Sequence, residues 1–222
     1  PGYQLSNVTP YAEDFNFTIQ RQITTSTIFT VGYVGTRGHH LFSQFESNPG
    51  SAAKCLQIRN LFTAAGEPGN GCGPFGQDTI YTINGQTFNG TRPYSVTSGR
   101  DLSQGLLDFG DNTWEATMGN SNYNALQASV NKTAGPLRFL AAYTWSKSLD
   151  NASQFLDLIN PFNYNASKAL SGFDMTHNFV VSYTYDLPFQ HLGRARSGVA
   201  YKILAGWELA GITHYTTGLP VA

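Results

Sequence analysis

His39 and His40 are adjacent imidazoles, the ligand type that zinc, copper and nickel favour. If they lie in a strand, neighbouring side chains point to opposite faces, so the pair cannot readily chelate one ion. Asp101, Asp108, Asp111 and Glu115 bring carboxylates into one segment, and hard cations such as calcium take oxygen sets of this kind. EF-hand spacing is missing, and a solvated acidic loop accounts for the cluster better than a calcium site does. His177, Asp174 and any of several serines hold the parts of a hydrolytic triad. There is no Gly-x-Ser-x-Gly elbow to expose a nucleophile, and neither a phosphate-binding loop nor a dinucleotide fingerprint is present. The expectation is therefore no catalytic residue, no metal, no cofactor and no enzymatic activity. Asn7, Asn16, Asn89, Asn131, Asn151 and Asn165 begin Asn-x-Ser/Thr triplets, which chance supplies in a chain rich in Asn and Thr.

Cys55 and Cys72 sit in a polar segment with Gly66, Pro68, Gly69 and Gly71 between them. Those residues let the chain double back. The expected chemistry is a disulfide closing a surface loop in an oxidising compartment; two unrelated thiols are the alternative. Without a Cys-x-x-Cys pair the two cysteines are poor zinc ligands.

The elements that must position these groups read as strands. Charged residues are 12% of the chain and aromatics 14%, against roughly 25% charged in ordinary globular domains. So many aromatic residues exclude a disordered chain, and a net charge of −1 argues against nucleic acid as a partner. No apolar run approaches the ~20 residues of a membrane-spanning helix. From Asn178 to Leu187 the residues alternate strictly: Phe179, Val181, Tyr183, Tyr185 and Leu187 against Asn178, Val180, Ser182, Thr184 and Asp186. A period of two over about ten residues marks a long strand with one apolar face, and about ten is the length of a tilted membrane-crossing strand. Strands are expected at about 11–23, 27–45, 123–132, 137–147, 177–187 and 204–217. Thr24–Ser26 and Thr133–Pro136 read as short turns and 190–199 as a looser one, whereas 47–122 and 148–176 are long connections. Sorting of short and long connections is a habit of outer-membrane barrels. The fold class expected is thus an all-β antiparallel meander, a single region forming part of a transmembrane β-barrel, or else a β-rich subunit assembling through strand edges.

Tyr143, Trp145, Tyr183, Tyr185, Trp207 and Tyr215 suit an aromatic girdle at a headgroup boundary, although a soluble sandwich core also uses buried Tyr and Trp. Phe179, Val181 and Leu187 form the stripe expected to face lipid or a partner chain. In the connections, Arg92, Tyr94, Arg100 and Asp101 are candidates for ligand contact.

The order of several blocks resembles the barrel region of Oar-like, TonB-dependent outer-membrane receptors. The blocks are Pro10–Gln22, Val31–Leu41, Tyr123–Val130, Ala142–Asp150, Phe173–His177 with Leu187-Pro188-Phe189, and Gly206–Ile212. Asn178 and Gln190 depart from that pattern, where a basic residue and a glycine are expected. The resemblance implies a bacterial outer-membrane location and nutrient uptake, with a TonB complex acting through a plug that these residues do not include. It leaves a secreted structural subunit, located outside the cell, as the alternative. The partners expected are outer-membrane lipid and either the remaining barrel strands or further copies of the chain. The chain begins at Pro1 without Met, as expected of a mature product, a proteolytic piece or part of a longer polypeptide.

Overall fold

The computed structural model describes residues 2–67, 72–73, 76–95, 109–191 and 199–220. In chain order the strands are β1 (Gly2–Tyr3), β2 (Tyr11–Thr24), β3 (Thr27–Glu46), β4 (Ile80–Ile83), β5 (Gln86–Asn89), β6 (Thr113–Lys132), β7 (Leu137–Asp150), β8 (Leu158–Ile159), β9 (Ala169–Leu170), β10 (His177–Asp186) and β11 (Glu208–Thr216). Helix α1 (Ala52–Ala64) follows β3, and the short α2 (Val199–Leu204) precedes β11. The long strands lie in the order β11-β10-β7-β6-β3-β2, so strands that follow one another in the chain are neighbours. The pairs β2/β3, β6/β7, β7/β10 and β10/β11 are antiparallel. This is the antiparallel meander expected from the alternation.

The chain folds as two compact units: Pro1–Pro10, His40–Gly119 and Gln154–Ser167 in the first, and Tyr11–His39, Asn120–Ser153 and Lys168–Ala222 in the second. The second unit is a sheet whose large apolar side chains remain uncovered, among them Phe17 at 67%, Trp145 at 55% and Tyr215 at 67% exposure. Its strands form because β-branched and aromatic residues alternate with Ser, Thr, Asn and Gln. β6 and β7 are joined through Gly135, whose φ of +95° needs a residue without a Cβ. Thr133 N–H donates to the Ser26 carbonyl at 2.9 Å, which ties this turn to the β2/β3 turn.

The apolar core sits in the first unit. Ile58 and Phe62 of α1 pack with Tyr81 and Ile83 of β4 and with Cys72; the Phe62 and Tyr81 rings meet edge to face at 6.0 Å. Ser51 caps α1, its Oγ accepting from Lys54 N–H at 3.3 Å, a role its short hydroxyl suits. Asn84 and Gly85, at φ +48° and +75°, make the tight turn between β4 and β5, where two left-handed residues match the strand twist.

Several boundaries differ from expectation. The segment 47–122, read as one long connection, holds α1, the β4/β5 hairpin and the start of β6. β6 begins at Thr113 and not near 123; its apolar row Trp114, Ala116 and Met118 is only three residues long and is cut off from Leu126, Ala128 and Val130 by Asn120, Asn122 and Asn124. The connection 148–176 contains β8 and β9 as well as the last residues of β7. α2 occupies Val199–Leu204, and Gly206 at φ +80° turns the chain before β11 starts at Glu208. Leu187 lies one residue beyond the end of β10.

Candidate functional site

Residues paired directly across antiparallel strands share a face, and alternate residues along a strand take opposite faces. The registers therefore lay out one continuous face of the second unit. Across β7, β10 and β11 its rows are Tyr143–Phe179–Tyr215, Ala141–Val181–Thr213, Phe139–Tyr183–Gly211 and Leu137–Tyr185–Leu209. Trp145 stands opposite His177 on one side and Leu126 on the other. Tyr33 Oη donates to Asn124 Oδ1 at 2.5 Å, which brings Tyr33, and with it Val31 and Phe17, onto the same face. Two rings lie flat over cross-strand glycines: Phe15 over Gly35, and Tyr183 over Gly211, where a Cβ would meet Tyr183 Oη at 2.7 Å. The stripe residues Phe179 and Val181 and the girdle residues Tyr143, Trp145, Tyr183, Tyr185 and Tyr215 all belong to this face. Trp207 precedes β11, and its Nε1 donates to the Ile203 carbonyl at 2.6 Å.

The opposite face is polar. Arg138 Nη2 is 2.9 Å from both Asp186 Oδ1 and Glu208 Oε2, one guanidinium held between carboxylates of the two strands that follow it in the sheet. Thr36 Oγ1 donates to Asp14 Oδ1 at 2.6 Å, and His214 Nε2 lies 2.9 Å from Asn178 Oδ1. Leu140, Val180 and Ile212 are apolar residues of this same face by register.

A buried polar knot anchors the chain between β9 and β10. Asp174 is 4% exposed and Ser171 fully buried. Asp174 Oδ1 accepts from Ser148 N–H at 2.6 Å, its Oδ2 accepts from Thr176 Oγ1 at 3.1 Å, and the hydroxyls of Ser148 and Ser171 meet at 2.8 Å. His177 takes no part in it: its Nδ1 lies 2.8 Å from Tyr143 Oη. The two residues do not form a relay, so the triad fragment seen in the sequence is an anchor. Asp174→Ala leaves the buried Ser148 N–H without its charged acceptor and is expected to cost about 1.5–3 kcal/mol, read as a lower urea midpoint; an unchanged midpoint would show the knot to be dispensable.

In the first unit Arg92 is 7% exposed. Its Nε donates to Asp78 Oδ1 at 2.7 Å, its Nη1 donates to the Asn48 carbonyl at 2.7 Å, and Glu46 Oε1 lies 3.4 Å from Nη1. Arg92 thus organises the loop chain from within, whereas Tyr94 is 70% exposed. Burial, reinforced by a carboxyl–carboxyl hydrogen bond with Asp111, lifts Glu46 above its ordinary range against the pull of the Asn48 and Asn112 N–H donors. These groups border a cleft of about 500 Å³ shared with Gln77, Asn160 and Phe162. Arg100, Asp101 and Asp108 lie outside the described residues. Among the described residues no group of three or more His, Cys, Asp or Glu side chains could hold a metal ion. His39 stacks on Tyr11 at 5.0 Å and lies 3.9 Å from Glu13, while His40 takes a φ of +55°.

Cys55 and Cys72 form a disulfide, with Cα atoms 5.4 Å apart, inside the usual span of such a bridge. It ties α1 to the segment before β4. A loop of this size gives roughly 3 kcal/mol in chain-entropy terms, a model-dependent figure. Peptide mass spectrometry without reductant is expected to recover both cysteines in one cross-linked species; two alkylatable thiols in freshly isolated protein would exclude it.

Sequence reasoning missed the Arg92 network, because its partners Glu46, Asn48, Asp78 and Asp111 are scattered through a segment without periodicity. It also missed Arg138, whose partners are legible only once β7, β10 and β11 are in register. No curated protein and no solved structure matches the chain. The family described as outer membrane beta barrel domain matches residues 2–222. A meander of long strands, with one aromatic face and one polar face, is what a barrel wall requires, and the chain belongs to the outer membrane beta barrel domain family, a protein of the bacterial outer membrane in contact with its lipid.

Proposed function

We propose that the chain supplies wall strands and extracellular loops to a TonB-dependent receptor barrel for nutrient uptake, and that it carries no catalytic activity. The observation that carries this reading is the pair of faces on the second unit. The aromatic face spans nine residues of β7 from Leu137 to Trp145, eight steps or about 26 Å along the strand and about 20 Å across a membrane at ~40° tilt. The apolar band of such a barrel is about 25 Å tall. Tyr143, Trp145 and Tyr215 lie toward one end of it, and Tyr183, Tyr185 and Trp207 toward the other, as two girdles demand. The polar face with Arg138, Asp186 and Glu208 suits a wet lumen.

Connections support the same reading. The tight turns after β2 and β6 fall at one end of the strands, and the long connections after β3 and β7 leave from the other. The TonB assignment rests on the resemblance of the ordered blocks to Oar-like receptors. The test is the intact mass and cross-linking of the outer-membrane polypeptide that yields these peptides. A chain far heavier than 24.2 kDa that cross-links to TonB is the expected result. A chain of this mass in a regular polymer would replace it with the structural-subunit reading, which the one-sided pairing of β2 and β11 also fits.

A further inference from the structure

The aromatic face carries a groove of about 640 Å³, lined chiefly by apolar surface, whose walls include Tyr33, Leu126, Trp145, Leu170, Lys147 and Thr176. Leu126, Trp145 and Leu170 are 43%, 55% and 46% exposed, so no described residue of the second unit fills it. Lys147 stands two positions beyond Trp145 on the same face, opposite Asn124. Among the described residues no carboxylate pairs with its ammonium. An unpaired cation beside an open apolar groove has a complementary ligand: a molecule with an anionic head and a hydrocarbon tail.

We propose that this groove is a binding site for a membrane lipid whose phosphate headgroup is net-anionic. The acyl chain lies along Leu126 and Trp145, and the phosphate sits on the Lys147 ammonium. The inference rests on the aromatic face being the lipid-facing one. Two features choose the occupant. Trp145 places the groove at the level where indole rings prefer the interface, so a lysine one row further out reaches the headgroup phosphates by snorkelling. The groove is also far less polar than a sugar or peptide site would be, which leaves hydrocarbon as the filler.

The experiment uses the outer-membrane polypeptide extracted in mild detergent, with phosphatidylglycerol and phosphatidylcholine added at equal concentration and retained lipid read by native mass spectrometry. Wild type is expected to prefer phosphatidylglycerol about fivefold, the size of one lysine near an anionic surface. Lys147→Gln abolishes the preference. Lys132→Gln keeps it, because Lys132 is on the same face by its register with Phe139 and does not line the groove. Doxyl-labelled phosphatidylglycerol is expected to quench emission that disappears in Trp145→Phe, a readout that does not depend on how well the lysine variant assembles. Equal retention of both lipids by wild type, a preference that survives Lys147→Gln, or no quenching at Trp145 each overturns the site. The arginine variants at Val181 and Ser182 test the face separately: if Val181→Arg alone impairs assembly and the lipid preference is absent, the groove fails and the wall reading stands.

Discussion

Val181→Arg is expected to remove most of the assembled protein from the outer membrane, while Ser182→Arg leaves most of it in place. Val181 pairs with Ala141 and Thr213, the row between the Tyr143–Phe179–Tyr215 and Phe139–Tyr183–Gly211 rows. A guanidinium there stands near the middle of the aromatic face, and arginine on the lipid side of a barrel midplane costs about 2–4 kcal/mol. Snorkelling relieves little, since the row lies about two residue pairs from Trp145 at one end and Tyr185 at the other. Ser182 pairs with Leu140 and Ile212 on the opposite face. An arginine there meets two apolar neighbours, yet keeps water if the interior is wet, so its cost is small. The measurement is the heat-modifiable, folded fraction in isolated membranes. Equal loss at both positions would mean a dry two-sided core and would sink the lipid-facing assignment.

The parts of this fold that were legible in the sequence share one property: a face apolar enough to impose a period of two. β10 announces itself through Phe179, Val181, Tyr183 and Tyr185, and β2, β3 and β7 through similar sets. The first ten residues of β6 were not legible because their apolar row, Trp114, Ala116 and Met118, is short and three asparagines at 120, 122 and 124 separate it from Leu126, Ala128 and Val130. α1 was invisible for a related reason. Only Ile58 and Phe62 of that helix are buried, a stripe too narrow to generate a helical period. The β4/β5 hairpin does leave a signal, since Asn84-Gly85 flanked by Tyr81, Ile83 and Phe88 is a strong turn cue, but the Gly and Pro residues around it make the whole segment read as a connection.

The candidate site divides the same way. Its aromatic face follows from alternation and register, so residue types alone pointed to it. Arg92 was read as a ligand-contact candidate, but the structure turns it inward onto Asp78, Glu46 and the Asn48 carbonyl. Charge pairing across distant segments has no sequence period, and an exposed arginine looks identical to a buried one until its partners are placed. The pairing of Cys55 with Cys72 was accessible because only two cysteines exist and the glycines between them permit the return.

The six long strands, produced as an isolated 222-residue polypeptide, are expected not to form a stable monomer in lipid or mild detergent. The sheet path ends at β2 and β11; among the described residues β2 pairs with β3 alone and β11 with β10 alone. These edge strands have 14 and 9 residues, and an edge leaves about half of its N–H and C=O groups without a ladder partner. In hydrocarbon each such group costs several kcal/mol. Even a few of them exceed the roughly 5–15 kcal/mol by which a domain is stable. Single-chain bacterial barrels close with about eight strands or more, which abolishes the edges; six strands in an open path do not. The partners expected at these edges are further strands of a longer polypeptide or further copies of this one. Hydrogen exchange read by mass spectrometry separates these states from a lone sheet. In the isolated polypeptide the amides of β2 and β11 are expected to exchange orders of magnitude faster than those of β7, which is paired on both sides. In membranes that hold the native assembly all three strands should be protected alike. A monodisperse monomer of the isolated polypeptide, with β2 and β11 as protected as β7, would show that the sheet needs no partner at its edges.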